Sequence, residues 1–416
     1  MRIAFIEPCA KYAVGSIGAF YIKTILREMG YIVDTMTRPR SGYDIECFSI
    51  HHVRDFLKFA AMPKRAPIRI IGGHPMASNP KPLIPFSDII CIGEGESWIK
   101  KYFSMIEKGE YDKLKTTDGI IVCKDWEQGS KIKAVFEKGM PENPPYLNRV
   151  GTLSAAWYIE IARGCPWRCH YCGLGNLSPF RQLRFTEFKK IIDQIDFSKC
   201  RKTNLFAPDE ASVVDVKQMR EYIKEKTGTI APFSSVRIES FTKREMEFPH
   251  NTLIRVGLDG LTEKTRFRVC KKITDNALVE YFRRLIDKGH VTFKVFMIFS
   301  YPWDTIEDFA EWEQLMDRIL RLDLRKNVSL RIKWTAFIPQ PGTPLENEKP
   351  TFNFDIERKI HFWHAQYKRP NINPGWYIDC DGVSSFLTHK KECAMTSGDE
   401  FSLFGLDKKL RPIINC

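Results

Sequence analysis

The chain has 416 residues, of which 43% are hydrophobic and 28% charged, and its net charge is +13. This length exceeds one typical domain, and the composition, with no low-complexity tract, fixed-period repeat or heptad run, argues against a disordered chain. No apolar stretch is long enough for a membrane helix, and the N-terminal apolar run is too short for a signal peptide. We expect a cytoplasmic protein of two domains and a tail, without membrane association.

Residues 1–140 alternate short apolar strands with helices. Strands are predicted at 2–6, 31–34, 47–50, 68–71 and 88–92, and helices at 17–29, 53–61 and 97–106. This order favours an α/β fold with a Rossmann-like, doubly wound parallel sheet. Glycine turns at 72–75 and 93–96 fall at strand ends, where such sheets bind ligands.

Three histidines of this region, His51, His52 and His74, are interpreted as polar loop residues rather than metal ligands. Residues 112–150 are rich in Lys, Glu and Pro and predict a β-excursion and then a linker at 141–152. We expect a second domain over 153–346 and a small C-terminal extension over 347–416.

The segment from Arg163 to Cys172 carries three cysteines, Cys165, Cys169 and Cys172, at C-x3-C-x2-C spacing. Thiolates are the ligands that iron–sulfur clusters prefer. Three ligands leave one iron of a [4Fe–4S] cluster open, and that iron can chelate the amino and carboxylate groups of S-adenosylmethionine. The spacing therefore indicates chemistry rather than electron storage alone.

A short apolar strand, Tyr-Ile-Glu-Ile-Ala-Arg from Tyr158, runs into this loop, and Tyr171 precedes its last cysteine. This pattern resembles the radical S-adenosylmethionine (radical SAM) superfamily, in which the cluster loop follows the first strand of a partial barrel. The alternatives are a zinc site, with Cys200 or His170 as fourth ligand, and three ordinary thiols. Zinc sites usually present two separated ligand pairs, whereas this is one triplet.

The other nine cysteines are scattered singly and are interpreted as reduced thiols, mostly packing residues. Cys380, Cys393 and Cys416 leave open a second cluster in the C-terminal extension.

From 155 to about 340, strands and helices alternate again, consistent with a partial (β/α)6 barrel. Strands are predicted at 205–206, 235–238, 253–257, 292–298 and 330–334, and helices at 187–195, 214–225, 275–288 and 305–319. In barrels of parallel strands the active site gathers at the carboxyl ends of the strands.

Polar residues at these ends are the candidate cofactor-binding residues. Asp209 and Glu210 follow the second strand, where the superfamily carries an acidic turn. The resemblance implies that one of them accepts the amino group of the bound methionine or approaches the substrate. Arg237 and Glu239 alternate with apolar residues on the predicted third strand, so both should face the barrel interior. They are interpreted as either a structural ion pair or a ligand contact.

The turn at 256–262 and the following Lys-Lys-Ile-Thr resemble the cofactor turn of the superfamily. The resemblance implies that Asp259 contacts the ribose and that Lys271 meets the methionine carboxylate; Tyr171 is also assigned to the cofactor. Gly260 stands where the family usually has Ser. Turns at 299–308 and 337–345 resemble the family's Gly-x-Pro-x-Glu-Thr and Pro-Gly-Thr-Pro turns.

The N-terminal half resembles the cobalamin-binding-type domain of many radical SAM enzymes, because a Gly-Gly turn and a Gly-Glu-Gly-Glu turn follow successive strands there. No Asp-x-His-x-x-Gly segment is present. The resemblance leaves cobalamin open as a cofactor, with a degenerate scaffolding or substrate-binding domain as the alternative.

The resemblance implies reductive cleavage of S-adenosylmethionine to a 5′-deoxyadenosyl radical that abstracts hydrogen from a substrate, with a reductase or flavodoxin-type protein as electron donor. Residues 151–300 hold 26 Lys and Arg against 17 Asp and Glu, a net +9. This basic half favours DNA or RNA as partner, through Arg266, Arg268 and Lys272 and through stacking on Trp376 and Tyr377. The alternative is a solvated basic surface that keeps the protein soluble.

The leading hypothesis is therefore an isomerase or transferase that modifies a nucleobase or a base-attached group. One alternative is a cobalamin-dependent methyltransferase or cyclase acting on a small metabolite or peptide. The other is a non-catalytic nucleic-acid-binding protein with a structural cluster.

Overall fold

The structure, a computed structural model, describes residues 1–8, 16–131, 133–142, 144–148, 155–233, 236–243, 248, 252–322, 328–367, 376–397, 399 and 402–403. The chain forms two compact units. The first unit contains Met1–Ile159, Ser198–Cys200 and Lys391–Cys416, and the second contains Glu160–Phe197 and Arg201–Lys390.

Strands and helices alternate in the N-terminal part of the chain, as the apolar pattern predicts. The elements are β1 Arg2–Ile6, α1 Ile17–Glu28, β2 Ile32–Met36, β3 Ile45–Ser49, α2 Asp55–Ala60, β4 Ile68–Gly72, α3 His74–Ser78, β5 Ile89–Cys91, α4 Gly95–Glu107, β6 Ile120–Val122, β7 Tyr146–Asn148 and β8 Ala156–Glu160. Short 3-10 helices lie at Lys81–Phe86, Tyr111–Lys113 and Cys123–Asp125.

The first unit is built on a six-stranded sheet in the order β2-β1-β3-β4-β5-β6. Its neighbours pair in parallel except for β5 and β6, which are antiparallel. Alternate residues of β1 enter two different cores: Ile3 and Phe5 pack on one face, and Ala4 and Ile6 on the other. A sheet buried on both faces is typical of a doubly wound α/β fold, so this part of the predicted fold is confirmed.

The second unit continues the alternation. Its elements are β9 Ala162–Arg163, α5 Gly173–Asn176, β10 Arg181–Gln182, α6 Phe185–Ile192, β11 Thr203–Phe206, α7 Val216–Thr227, α8 Ile238–Lys243, β12 Ile254–Gly257, α9 Glu263–Arg268, α10 Asp275–Asp287, β13 Thr292–Phe299, α11 Ile306–Leu320, β14 Val328–Ala336, α12 Phe354–Tyr367, β15 Trp376–Val383 and α13 Phe386–Ser397. A 3-10 turn lies at Glu210–Ser212, and α13 runs on into the first unit.

The strands β12-β13-β14-β15 form a parallel sheet. Alternate residues of β13 are buried, the period of a strand with one face in a core. The helices that follow begin at side-chain caps: Thr274 accepts the backbone N–H of Ala277, and Thr305 forms a capping box with Asp308. These caps fix where each helix leaves its strand, and hence where the strand-end turns lie.

The predicted third strand at 235–238 is wrong. Val236 and Arg237 are irregular, α8 begins at Ile238, and Ser235 lies outside the described residues. The backbone N–H of Arg237 donates to the Asp209 carboxylate over 3.0 Å instead of to a neighbouring strand. This tertiary contact outweighs the β-propensity of the Val-Arg-Ile pattern.

The C-terminal extension contributes to both units. Its strand β15 joins the sheet of the second unit, whereas Met395 and Leu403 complete a core of the first. Within the described ranges, no helix combines the length and apolar character that crossing a membrane requires.

Candidate functional site

The three predicted cluster ligands lie in one tight loop between β9 and α5. Cys169 is buried, and Cys165 and Cys172 are partly buried. The side-chain amide of Asn176 donates to the backbone carbonyls of both Cys169 and Cys172, at 2.8 Å each. Hydrogen bonds within the chain therefore fix the separation of these two cysteines.

Two glycines allow the loop to close. A Cβ atom on Gly175 would lie 1.9 Å from the carbonyl oxygen of Trp167. Gly164 has a φ of +65°, and a Cβ there would lie 2.3 Å from the carbonyl of Pro179. Because neither position has room for a side chain, the loop depends on glycine at both.

Arg237 binds one of the cysteines directly. Its Nη1 donates to Sγ of Cys169 over 2.9 Å, its Nε to Oε1 of Glu239 over 2.8 Å, and its Nη2 to the carbonyl of Cys270 over 3.2 Å. The guanidinium also lies 4.3 Å from the ring centre of Trp167. Burial disfavours its charged form, but the Glu239 bond and Cys169 raise the pKa of Arg237 above its ordinary value.

Asp209 organises the loop from the end of β11. One oxygen accepts the Arg237 backbone N–H, and the other accepts the indole N–H of Trp167 over 2.7 Å together with the hydroxyls of Ser212 and Ser240. Asp209 is buried, and these partners fill both of its oxygens. Its predicted contact with the methionine amino group stays a prediction.

Glu210, the other candidate at this turn, is fully buried and forms an ion pair with Arg220 at 2.7 Å. Its carboxylate is therefore occupied inside the protein, and a cofactor contact for it also stays a prediction.

Glu239 leaves an acceptor free. Its Oε1 binds Arg237, whereas its buried Oε2 has no hydrogen-bond partner among the described residues. Buried polar atoms are rarely left unpaired, and each one needs an explanation. Arg237 links Glu239 to Cys169 through two hydrogen bonds, so the unpaired oxygen lies near the predicted cluster. It fits an ammonium or hydroxyl donor of a bound ligand, such as the amino group of S-adenosylmethionine.

The predicted cofactor residues Asp259, Lys271 and Tyr171 meet at the end of β12. Lys271 forms an ion pair with Oδ2 of Asp259, which also accepts the Tyr171 hydroxyl over 2.7 Å. Burial and the neighbouring Asp259 raise the pKa of Tyr171 well above its ordinary value. The pair lies close to Gly257, whose Cβ would be 2.8 Å from the Asp259 oxygen and 2.9 Å from Nζ of Lys271, so a side chain there would displace the ends of both side chains.

Sequence reasoning missed an aromatic stack beside this turn. Tyr301 and Trp303 stack at 5.1 Å with an interplanar angle of 9°, and the guanidinium of Arg268 lies 3.6 Å from the ring centre of Trp303. The Tyr301 hydroxyl donates to the backbone carbonyl of Asp259 over 3.0 Å. The Tyr-Pro-Trp sequence just after β13 could have indicated this stack. Trp167 inside the cysteine loop could likewise have indicated the contact with Arg237.

The prediction that Arg266 contacts nucleic acid is wrong. Its side chain is 0% exposed, donates to the carbonyls of Ile273 and Leu261, and pairs with Asp275. Arg268 and Lys272 are exposed, so their predicted role stays untested.

Of the aromatic residues proposed for base stacking, Trp376 is 7% exposed and Tyr377 66%. Burial removes Trp376 from that role, and only Tyr377 remains accessible. The neighbouring helix α12 carries Trp363, which packs against Trp312 inside the core at 4.9 Å.

The cysteine loop fits a [4Fe–4S] cluster. Among the described side chains, no three His, Cys, Asp or Glu residues converge on a single metal ion. A [4Fe–4S] cluster does not require three ligands around one metal ion, since each thiolate binds a different iron. Burial raises the pKa of Cys165 to about 11 and also raises that of Cys172, so cluster binding has to release protons from these thiols. A second cluster with Cys416 lies outside the described residues.

At the ligand-binding edge of the first unit, polar groups are already paired. Glu7 accepts Nζ of Lys23 over 2.8 Å and the backbone N–H of Ser16 over 3.3 Å, with His51 Nε2 at 3.7 Å. Burial opposes ionisation, but hydrogen bonds from His51 and Lys23 lower the pKa of Glu7 to about 2.

The glycine turns of this edge are filled by the chain itself. A Cβ on Gly73 would lie 2.0 Å from the carbonyl of Ile50, and one on Gly93 2.0 Å from that of Val135. Chain packing therefore explains both glycines, and they provide no cradle for cobalamin. His74 follows the first turn and is exposed. These two turns therefore do not by themselves define a cobalamin site, and cobalamin stays open as a cofactor.

Comparison with known proteins identifies the second unit. Residues 159–315 match the Radical SAM superfamily, and residues 51–125 match the N-terminal region of radical SAM proteins. The chain belongs to the radical SAM superfamily, as its cysteine motif predicts. Membership implies a [4Fe–4S] cluster and S-adenosylmethionine.

Two curated relatives are each 22% identical to the chain. One is an uncharacterised protein of Methanocaldococcus jannaschii, aligned over 80% of this chain and 71% of its own length. The other is the hopanoid C-3 methylase of Methylococcus capsulatus, aligned over 72% of this chain and 59% of its own length.

Among solved structures, the cobalamin-dependent S-adenosylmethionine radical enzyme OxsB, with aqua-cobalamin and S-adenosylmethionine bound, has a TM-score of 0.54 at 14% identity. The match covers 94% of this chain and 66% of OxsB. At this identity the match shows a shared fold. The chain spans only about three fifths of the methylase and two thirds of OxsB.

Proposed function

We propose that this protein is a radical SAM methyltransferase or cyclase that functionalises a carbon atom of a small metabolite or peptide. The observation that carries the proposal is the tight three-cysteine loop with Arg237 on Cys169 and an unpaired Glu239 oxygen beside it. When bound, the cluster and S-adenosylmethionine supply a 5′-deoxyadenosyl radical on reduction.

The chain's own residues have three tasks in this scheme. The cysteines bind the cluster, and Glu239 accepts a hydrogen bond from the methionine amino group. Asp259 and Lys271 form an ion pair in this structure. When the cofactor binds, Asp259 would contact its ribose and Lys271 its methionine carboxylate. Tyr301, which is 2% exposed and bonded to the Asp259 carbonyl, helps to exclude water from the radical.

A carbon-functionalising transferase or cyclase is favoured over nucleobase modification for two reasons. One of the two relatives is a methylase, and this chain shares its fold with OxsB. In addition, Arg266 and Trp376, two of the side chains on which the nucleic-acid hypothesis rests, are buried.

One observation supports nucleobase or phosphate-bearing substrates as a second candidate. The guanidinium of the exposed Arg268 lies 3.6 Å from the ring centre of Trp303, and the exposed Lys272 is close to it in sequence. A rigid guanidinium fork suits phosphate and carboxylate groups. DNA or RNA therefore stays a proposed partner, as does a reductase or flavodoxin-type electron donor.

Product analysis tests the leading proposal. Anaerobically reconstituted protein, S-adenosylmethionine and a reductant are incubated with metabolite extracts, with and without hydroxocobalamin, and the nucleoside products are quantified. We expect 5′-deoxyadenosine in every active mixture. S-adenosylhomocysteine formed alongside it indicates methyl transfer, and its absence indicates cyclisation. No 5′-deoxyadenosine under any condition contradicts the proposal.

The second candidate is tested by anisotropy titrations with a single-stranded oligonucleotide at two salt concentrations. If the Arg268 guanidinium binds the oligonucleotide, the affinity should weaken with salt and be lost in Arg268→Glu. Binding that is absent at low salt, or unchanged in this variant, leaves small molecules and peptides as the substrates.

A further inference from the structure

The contact between Arg237 and Cys169 joins a buried cation to the sulfur atom of a predicted cluster ligand. The distance from Nη1 to Sγ is 2.9 Å, and Arg237 is 9% exposed. Charge-assisted hydrogen bonds are roughly twice as strong as neutral ones, and they are strengthened further where water is excluded.

Arg237 is anchored on every side, so this contact is preorganised. Glu239 and the carbonyl of Cys270 hold the other guanidinium nitrogens at 2.8 and 3.2 Å. The indole of Trp167 covers one face of the guanidinium at 4.3 Å, and the Asp209 carboxylate fixes its backbone N–H. The guanidinium therefore cannot turn away from the sulfur without breaking several contacts.

We infer that Arg237 is a positioning residue that sets the reduction potential of the cluster, and that Glu239 opposes it. Reduction adds one negative charge to the cluster, and hydrogen bonds to the sulfurs and the local net charge control its potential. The Arg237 cation stabilises the reduced form and raises the potential. The Glu239 carboxylate, which shares that guanidinium, lowers it. The inference rests on the proposed function, since it requires a bound cluster.

The two residues predict shifts of opposite sign, which a purely structural role does not produce. Arg237→Gln removes the cation and should move the ratio of oxidised to reduced cluster about tenfold toward the oxidised form at a fixed potential, equivalent to about 59 mV for one electron. Glu239→Gln removes the anion and should move the ratio toward the reduced form. Arg237→Lys keeps the charge but loses the fork, so its shift should be smaller.

The experiment is a redox titration of the reconstituted full chain, followed by electron paramagnetic resonance without S-adenosylmethionine and paired with iron analysis. Arg284→Gln is the matched control, because it removes an exposed cation of the same unit that pairs with Glu280 and not with a cysteine. Its potential should equal that of the parent.

The outcomes separate the inference from the proposed function. A parent protein that binds no iron overturns both. A parent with about four irons whose potential is unchanged in Arg237→Gln, or shifted in the same direction by Arg237→Gln and Glu239→Gln, overturns the inference alone. If Arg237→Gln fails to hold iron, the sign of the shift in Glu239→Gln and its size in Arg237→Lys decide the question.

Discussion

Both units place glycines and acidic residues at the ends of parallel strands, and in both units contacts within the chain occupy these acidic residues. In the first unit, the oxygens of Glu7 are paired, and Gly73 lies against the backbone of Ile50. In the second unit, the strand-end carboxylates Asp209 and Asp259 are also paired. The unpaired buried oxygen belongs instead to Glu239 in α8, beside the cysteine loop. Turn motifs at strand ends therefore do not by themselves indicate a ligand site, whereas an unsatisfied buried polar group does.

The largest effect should follow loss of the cysteines. Replacing Cys165, Cys169 and Cys172 by Ala should abolish both iron binding and 5′-deoxyadenosine formation, because no described residue replaces these thiolates. Iron analysis and chromatography of the nucleoside products measure this. Cys200→Ala is the control and should keep its iron. Loss of metal from that variant would instead favour the zinc alternative with Cys200 as fourth ligand.

The Asp259–Lys271 pair provides the next test of the second unit. Asp259→Asn and Lys271→Ala should each weaken S-adenosylmethionine binding by about 1.5–3 kcal/mol, roughly 10- to 150-fold in Kd, since each loses one charged contact. Equilibrium dialysis measures the affinity, and iron content should stay near that of the parent. Lys264→Ala, an exposed lysine of α9, is the control. Unchanged affinity in both variants would show that this turn does not bind the cofactor.

In the first unit, a glycine substitution should cost stability without affecting the cluster. Gly73→Ala forces a Cβ to within 2.0 Å of the Ile50 carbonyl at a φ of +124°. We expect a loss of about 3 kcal/mol or more in the free energy of unfolding, because both a clash and a strained conformation are introduced. The midpoint temperature of thermal unfolding reports this.

The matched variant is Gly30→Ala, which has a φ of +90° and open space around its Cβ. The strained conformation is the only cost there, and it should lower the free energy of unfolding by about 1–2 kcal/mol. If both variants lose the same stability, the close approach to Ile50 is not a real constraint on the turn.

The smallest effect concerns pH. Burial raises the pKa of Asp304 from its ordinary 3.8 to about 7. The folded protein therefore holds this proton more tightly than the unfolded chain does. The stabilising contribution is complete below about pH 4 and is lost as the pH rises toward 7.

Asp304→Asn should flatten this dependence, so that the variant gains stability relative to the parent as the pH rises from 4 to 8. Thermal unfolding across that range measures the difference. The exposed Asp287→Asn variant should follow the parent curve. A parallel shift of the Asp304→Asn curve at all pH values contradicts the assignment.

The sequence alone could predict the features that depend on local pattern. Apolar periodicity located the elements that it predicted to within a few residues, except the strand at 235–238, and cysteine spacing located the cluster loop. Burial of Arg266 also had a local signal, because Thr262, Arg266 and Val269 lie at helical spacing on one face of α9.

Contacts between distant segments could not be predicted in this way. The bond from Arg237 to Cys169 joins residues 68 positions apart, and the Trp167 bond to Asp209 joins residues 42 apart. The bond from Arg237 depends on α8 replacing the predicted third strand. That replacement is decided by a tertiary hydrogen bond and not by the local Val-Arg-Ile pattern.

The close packing of the cysteine loop also limits which sequences can be recognised as relatives. Gly175 has no space for a Cβ, and the Asn176 amide bridges two cysteine carbonyls. A diagnostic pattern for proteins built like this one therefore extends past the third cysteine to C-x3-C-x2-C-x2-G-N. Homologues that keep the cysteines but change these two positions must hold the loop closed by another set of bonds.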